Sequence, residues 1–244
     1  MTELKTLEEQ INKHNQTQSI EQVDFGLTRF FAGIYKWMAV GVAVSGVTAF
    51  LVAKLGYLPI FFSNIIFFYG LIGVELILVF GIQMAIRKLS PQTSLMLFLL
   101  YSFINGLTMS VIFAVYGLGD ITSAFTGAVV LYIILAVMGY RTKKDLSSWS
   151  TLLFPMVWAI VISSLLNMFV FQSSVFNMII SIGTLLVFGA LTIYDNQTYK
   201  AIYHSLQGQH DEKERYVVLG ALHMYINFVA IFQSILSLMG GSRD

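Results

Sequence analysis

The sequence predicts an all-α, polytopic membrane protein, a bundle of seven transmembrane helices. Of its 244 residues, 57% are apolar, only 11% are charged, and the mean hydropathy is +0.75. Soluble domains run near half apolar and a quarter charged, so a soluble globule is excluded. A hydrocarbon core about 30 Å thick needs roughly 20 apolar residues per helical span, and seven spans use about 140, close to the apolar total here. The 14 basic and 13 acidic side chains leave a formal net charge of +1, which implies neither nucleic acid nor an acidic partner. With no cysteine, disulfides, thiol catalysis and cysteine metal sites drop out.

Residues 1–33 read as a polar N-terminal tail, 34–239 as the membrane domain and 240–244 as a short C-terminal tail. From Met1 to Asp24 no apolar run precedes a small-residue cleavage site, so the first span is expected to do the targeting. Leu4, Leu7 and Ile11 stand at helical spacing, which fits a short amphipathic helix or a frayed tail. Apolar runs follow at about Ile34 to Val52, Ile60 to Ile86, Ser94 to Tyr116, Ile121 to Met138, Thr151 to Phe171, Val175 to Tyr194 and Val217 to Met239. Gly56 with Pro59, Ser90 with Pro91, Gly117 with Gly119, and Gln172 to Ser174 make short joints, so consecutive helices are expected to lie antiparallel. Only the joint from Asn196 to Tyr216 reads as long. An odd number of spans without self-similarity argues against the inverted repeats of large secondary transporters.

Orientation follows from the basic residues. Lys5, Lys13, Arg29, Lys36, Arg87, Lys88, Arg141, Lys143, Lys144, Lys200, Lys213 and Arg215 fall on one side, and only Lys54 and Arg243 on the other. This bias predicts a cytosolic N-terminus and a C-terminus outside the cell. Trp37, Tyr57, Tyr140, Trp149, Tyr199 and Tyr216 sit near span ends, where anchoring at the headgroup layer is the expected role.

The few polar residues inside the spans are the candidates for function. In the seventh run Gly220, His223, Asn227, Ala230, Ser234 and Ser237 recur three or four residues apart, a small-and-polar stripe that must face the bundle interior. The sixth carries a similar stripe through Ser181, Thr184, Phe188, Thr192 and Asp195. Asn105 and Thr108, and Ser163 with Asn167, add internal hydrogen-bonding groups, whereas Gly41, Ser45 and Ala49 read as helix packing. Glu75 stands about 18 Å from the cytosolic end of its span, near mid-membrane. There it must be held protonated, paired with a buried donor or wetted by a cavity. Asp195 is expected at the end of the sixth run, nearer the cytosolic mouth than Asn227. Arg87 ends the second run on the same side, and an Asp195–Arg87 pair would close a passage when ionised and loosen when Asp195 takes a proton. A solvated carboxylate at a helix end is the plainer reading of Asp195, and a helix-packing role the plainer reading of His223, whose ordinary titration range also suits a pH sensor.

Other chemistries find little support. The seventh run has no lysine for a retinal Schiff base, and His14, His204, His210 and His223 lack metal-ligand spacing. Phosphate-binding and serine-nucleophile motifs are missing too, so no catalytic residue, cofactor or resident metal is expected, and no enzyme.

Several stretches resemble a known family: IYKWMA from Ile34, LSPQT from Leu89, YSFINGL from Tyr101, GYRTKKDL from Gly139, LNMFVFQSS from Leu166 and FGALTIYDNQ from Phe188. Together they are similar to the Bax inhibitor-1 or YccA-like membrane proteins, also called the transmembrane Bax-inhibitor-motif family. The resemblance covers nearly all of the chain after the tail. It implies six helices around a central seventh and a pH-sensitive calcium leak, in which aspartates of the sixth and seventh spans form the sensor and an arginine of the second latches it. Asp195 matches the first aspartate, Asn227 stands where the second is expected, and Arg87 is the candidate latch. An amide at 227 removes the repulsion between paired carboxylates, so the expected pH response is weaker, or moved to more acid pH, and divalent-cation binding weaker. Besides the bilayer, the implied partners are calcium as transported ion and, since some relatives resemble modulators of a membrane-bound protease, a membrane protein regulated without conduction.

Overall fold

The structure is a computed structural model that describes residues 2–63, 65–85, 88–206 and 208–240, with side chains from Phe25 onward except at 61, 62, 65 and 210. The described residues form nine α-helices: α1 (Thr2–Lys54), α2 (Leu58–Ser63), α3 (Ile65–Ala85), α4 (Pro91–Met109), α5 (Ile112–Val115), α6 (Leu118–Arg141), α7 (Trp149–Leu166), α8 (Ser174–Ser205) and α9 (His210–Gly240). No strand occurs among the described residues. Among the described residues seven helical stretches are long and apolar enough to cross a bilayer, the number expected from the sequence.

The joints follow local chemistry. Gly56, at φ +77°, makes the left-handed turn after α1, a conformation that costs glycine little. Ser90 caps α4 by accepting the Thr93 amide at 3.1 Å, and Pro91 occupies the first helical position, where its missing N–H is harmless. α4 and α5 form the third span, interrupted by a turn in which the Ser110 amide donates to the Leu107 carbonyl at 3.3 Å. α7 ends in a π-turn, Asn167–Phe171, and Gln172 reverses the chain with a left-handed φ of 46°.

One expected boundary is corrected. The sixth apolar run was expected to end near Tyr194 and to be followed by a long joint, but α8 continues through Ser205 and α9 begins at His210. The polar residues past Tyr194 remain helical because several are buried against other helices: Asn196 and Tyr199 are almost wholly enclosed. Tyr199, expected to anchor at the headgroup layer, is therefore a core residue, whereas Tyr57 and Trp149 are exposed.

Burial is uneven among the spans. In α9, 61% of the most apolar window is buried, against 6% in each of the spans formed by α3 and by α7 with its π-turn. α9 packs against α1, α3, α4, α6 and α8, and α7 packs on α8. Two crossings depend on glycine. A Cβ on Gly106 would lie 2.7 Å from the Ser45 carbonyl oxygen of α1, and one on Gly139 would lie 2.5 Å from the Ile193 carbonyl oxygen of α8. Close approach of this kind is how membrane helices gain packing without a hydrophobic drive between them.

Candidate functional site

The two polar stripes meet along the seam between α8 and α9. The Asn227 side-chain amide donates to Asp195 Oδ2 at 2.7 Å, and both residues are buried. One turn on, the Tyr199 hydroxyl and His223 Nδ1 are 3.0 Å apart. In the opposite direction along the seam, Ser181 Oγ lies 2.9 Å from Ser237 Oγ, which also receives the Asn177 amide at 3.0 Å. Hydrogen bonds therefore cross the seam at two separated places, Ser181 and Asp195 of α8 being about 21 Å apart at the helical rise. Asp195 and Asn227 stand at one depth, which corrects the expectation that Asp195 lies nearer the mouth. The extension of α8 places the carboxylate inside the helix, ten residues before Ser205, about 15 Å at the helical rise.

Three consecutive residues of α8 reach three different parts of the chain, because each step along a helix turns by about 100°. Asp195 faces α9. Asn196 accepts a hydrogen bond from the Tyr35 hydroxyl of α1 and donates to the Thr192 carbonyl at 2.8 Å. Gln197 Oε1 accepts the Leu146 amide at 2.8 Å, and its amide donates to the Lys144 carbonyl, so this side chain holds the α6–α7 loop. In that loop the Ser147 amide donates to Asp145 at 2.9 Å and holds its exposed carboxyl below the usual carboxylate range.

A second polar cluster lies on the opposite side of α9. Glu75 of α3 accepts from the Thr108 hydroxyl at 2.6 Å and from the Asn105 amide at 3.2 Å. Asn105 Oδ1 accepts from the Tyr225 hydroxyl at 2.7 Å, and that hydroxyl also meets Ser45 of α1. Ser45 is thus a hydrogen-bonding member of the core as well as a packing residue, its Oγ standing 2.9 Å from the Ser102 carbonyl. A cavity of about 370 Å³ opens beside this cluster, with Glu75, Tyr101, Asn105, Thr108 and Gln233 on its walls. Of the three situations expected for this carboxyl, Glu75 has hydrogen-bond donors, with Asn105 buried, and an adjoining cavity.

The structure brings Asp195 to Asn227, places His223 one turn away and puts Glu75 in the separate cluster. Arg87, the candidate latch, lies outside the described residues. Tyr35, Asn196, Gln197 and Tyr225 were not singled out as site residues from the sequence. A tyrosine in an apolar run reads as bulk, and Asn196 and Gln197 lay in the segment read as a joint. The signal available was that Asp195, Asn196 and Gln197 are adjacent polar residues that a continuing helix must spread over three faces.

A family model described as "Inhibitor of apoptosis-promoting Bax1" matches residues 27–244. The chain is 34% identical to "Inner membrane protein YbhL" of Escherichia coli (strain K12) over 235 residues, which cover 96% of this chain and 100% of that protein. It is 35% identical to a protein of Borreliella burgdorferi over 217 residues, 88% of this chain and 93% of the relative. A membrane protein of Streptococcus pyogenes serotype M1 is 32% identical over 222 residues, 90% of this chain and 95% of the relative.

Proposed function

We propose, for a chain that belongs to the family of the inhibitor of apoptosis-promoting Bax1, that this multi-pass membrane protein is a passive cation leak whose opening is biased by protonation of Asp195. Calcium is the ion the family resemblance implies, and the N-terminus faces the cytosol because the basic residues gather at that end. The observation that carries this reading is the buried Asn227–Asp195 hydrogen bond. It sits in a seam of small and polar side chains that has no use facing lipid, and it ties together the two helices that a passage would have to part.

Protonation changes the bond in a definite way. Asn227 can donate to the carboxylate, or to the carbonyl oxygen of the neutral acid, so the pair persists through titration while its charge disappears. A second carboxylate at 227 would add repulsion and a second charged ligand for a divalent cation. Asn227 therefore gives a weaker pH response than an aspartate. Glu75 supplies a second acidic group at the cavity beside α4 and α9, placed to meet a cation entering from that side.

The test is calcium flux into dye-loaded proteoliposomes across a pH series, for the wild type, Asp195→Asn and Asn227→Asp. Flux that varies with pH in the wild type, is flat in Asp195→Asn and steepens in Asn227→Asp is the expected result. Folded protein that carries no calcium above empty liposomes would overturn the leak and favour a protein that acts by binding a membrane partner.

A further inference from the structure

A cleft of about 1080 Å³ runs between α1 and α6, on the far side of Tyr35 from Asn196. The two helices leave it open because both lean on α9, whose Phe228 forms the floor. Its walls are apolar, Met38, Val42, Val129 and Ala136 among them, and no acidic side chain lines it. Tyr132 also lines it, buried, with a hydroxyl that has no hydrogen-bond partner. At one end stands Arg141, exposed and without a salt bridge among the described residues, followed in sequence by Lys143 and Lys144, both exposed.

Depth and charge together select an occupant. From Arg141 down to Val129 is twelve residues of α6, about 18 Å at the helical rise, close to the roughly 15 Å of hydrocarbon in one leaflet. An apolar cleft between two spans opens into hydrocarbon, and water gains nothing from its walls. The cationic rim suits a phosphate, since guanidinium matches phosphate oxygens in a bidentate way. We infer that the cleft binds one anionic phospholipid of the leaflet at the basic end of the bundle, with an acyl chain between α1 and α6 and the phosphate on Arg141. This site is independent of the leak reading. The chain lies against Tyr35 and Tyr132, so the lipid forms the outer wall of the region that Asp195 and Asn196 occupy.

The experiment is native mass spectrometry of the full chain released from detergent. Phosphatidylglycerol and phosphatidylcholine of identical acyl chains are titrated against the wild type, Arg141→Ala, Ala43→Trp and, as a charge control at the other end, Lys54→Ala. Ala43 is exposed on the cleft wall, so tryptophan there fills the cleft without invading the core. The wild type should retain one phosphatidylglycerol in preference to phosphatidylcholine. Arg141→Ala should weaken the anionic lipid about fivefold, the weight of one basic residue near an anionic surface. Ala43→Trp should lose the retained lipid of either headgroup, and Lys54→Ala should change nothing. Equal retention of both lipids, unaffected by any substitution, would show ordinary annular lipid and overturn the proposal. A lipid-free dimer that Ala43→Trp dissociates would overturn it in favour of a second copy in the cleft.

Discussion

Asn227 gives its side-chain amide to Asp195 across the α8–α9 seam at 2.7 Å, whereas Ser234, two turns further along α9, spends its hydroxyl on the Ala230 carbonyl of its own helix. The first bond joins helices and the second joins nothing. Asn227→Ala should therefore destabilise the protein by about 1–2 kcal/mol, because a buried acceptor loses its donor. Ser234→Ala should stay within about 0.5 kcal/mol. Thermal unfolding in a fixed detergent compares them, and equal losses would refute the distinction.

Tyr225→Phe removes the hydroxyl that Asn105 and Ser45 share, and with it the link from α9 to both α4 and α1. Interhelical hydrogen bonds in membranes average about 0.6 kcal/mol and reach about 1.7. The loss here should fall near the upper end, since two neighbours lose a partner. A double-mutant cycle with Asn105→Ala should show coupling between the positions, and strict additivity would argue that the bond carries no weight.

Gly139→Val places side-chain atoms where the Ile193 backbone of α8 now lies. Overpacking of this kind costs typically about 1–3 kcal/mol. Gly127 of the same helix has nothing within 4 Å of a built Cβ, so Gly127→Ala should be neutral or slightly stabilising. Melting curves of the two variants separate a glycine needed for close approach from one that is merely present.

Gln197→Ala releases the Leu146 amide and the Lys144 carbonyl together. The expected result is faster amide hydrogen exchange across residues 142–148, with protection in α9 unchanged. Exchange rising equally in both segments would mean that Gln197 supports the whole bundle and not the loop.

Asp145 gives a pH-dependent test outside the membrane. Its carboxyl is held low by the Ser147 amide, so its contribution is fully present above its unfolded value and is lost as pH falls through the folded value. Asp145→Asn should be slightly less stable than the wild type near neutrality and indistinguishable from it in acid below the carboxyl's folded value. A difference in melting temperature that is the same at both pH values would show that the charge is not responsible.

Much of the bundle was legible because the bilayer imposes a length and a polarity on every span. Seven apolar runs gave seven spans, and Ser90 with Pro91, read as a short joint, lies where the structure starts α4. The stripe through His223, Asn227 and Ser237 was readable as an inward face because small and polar side chains have no use facing lipid. What escaped was pairing across distance. Hydropathy ended the sixth run at Tyr194, where the polar residues begin, although burial against α1 and the α6–α7 loop keeps Asn196 and Gln197 helical. Nothing in an apolar run marks Tyr225 as the tyrosine that bridges two helices, since its partners lie 120 and 180 residues away.

The three-way grip of α8 also sets an order of assembly. Tyr35 precedes Asn196 by 161 residues, and Leu146 precedes Gln197 by 51, so both partners have been synthesised when α8 enters the bilayer. The partner of Asp195 follows it by 32 residues. A chain made from its N-terminus therefore inserts α8 with two of these side chains already matched and its acidic one waiting. α9 arrives last and completes the set. A nascent chain halted before Tyr225 should hold α8 in place yet leave the Asp195 carboxyl open to a carboxyl-modifying reagent, and release of the full chain should close it.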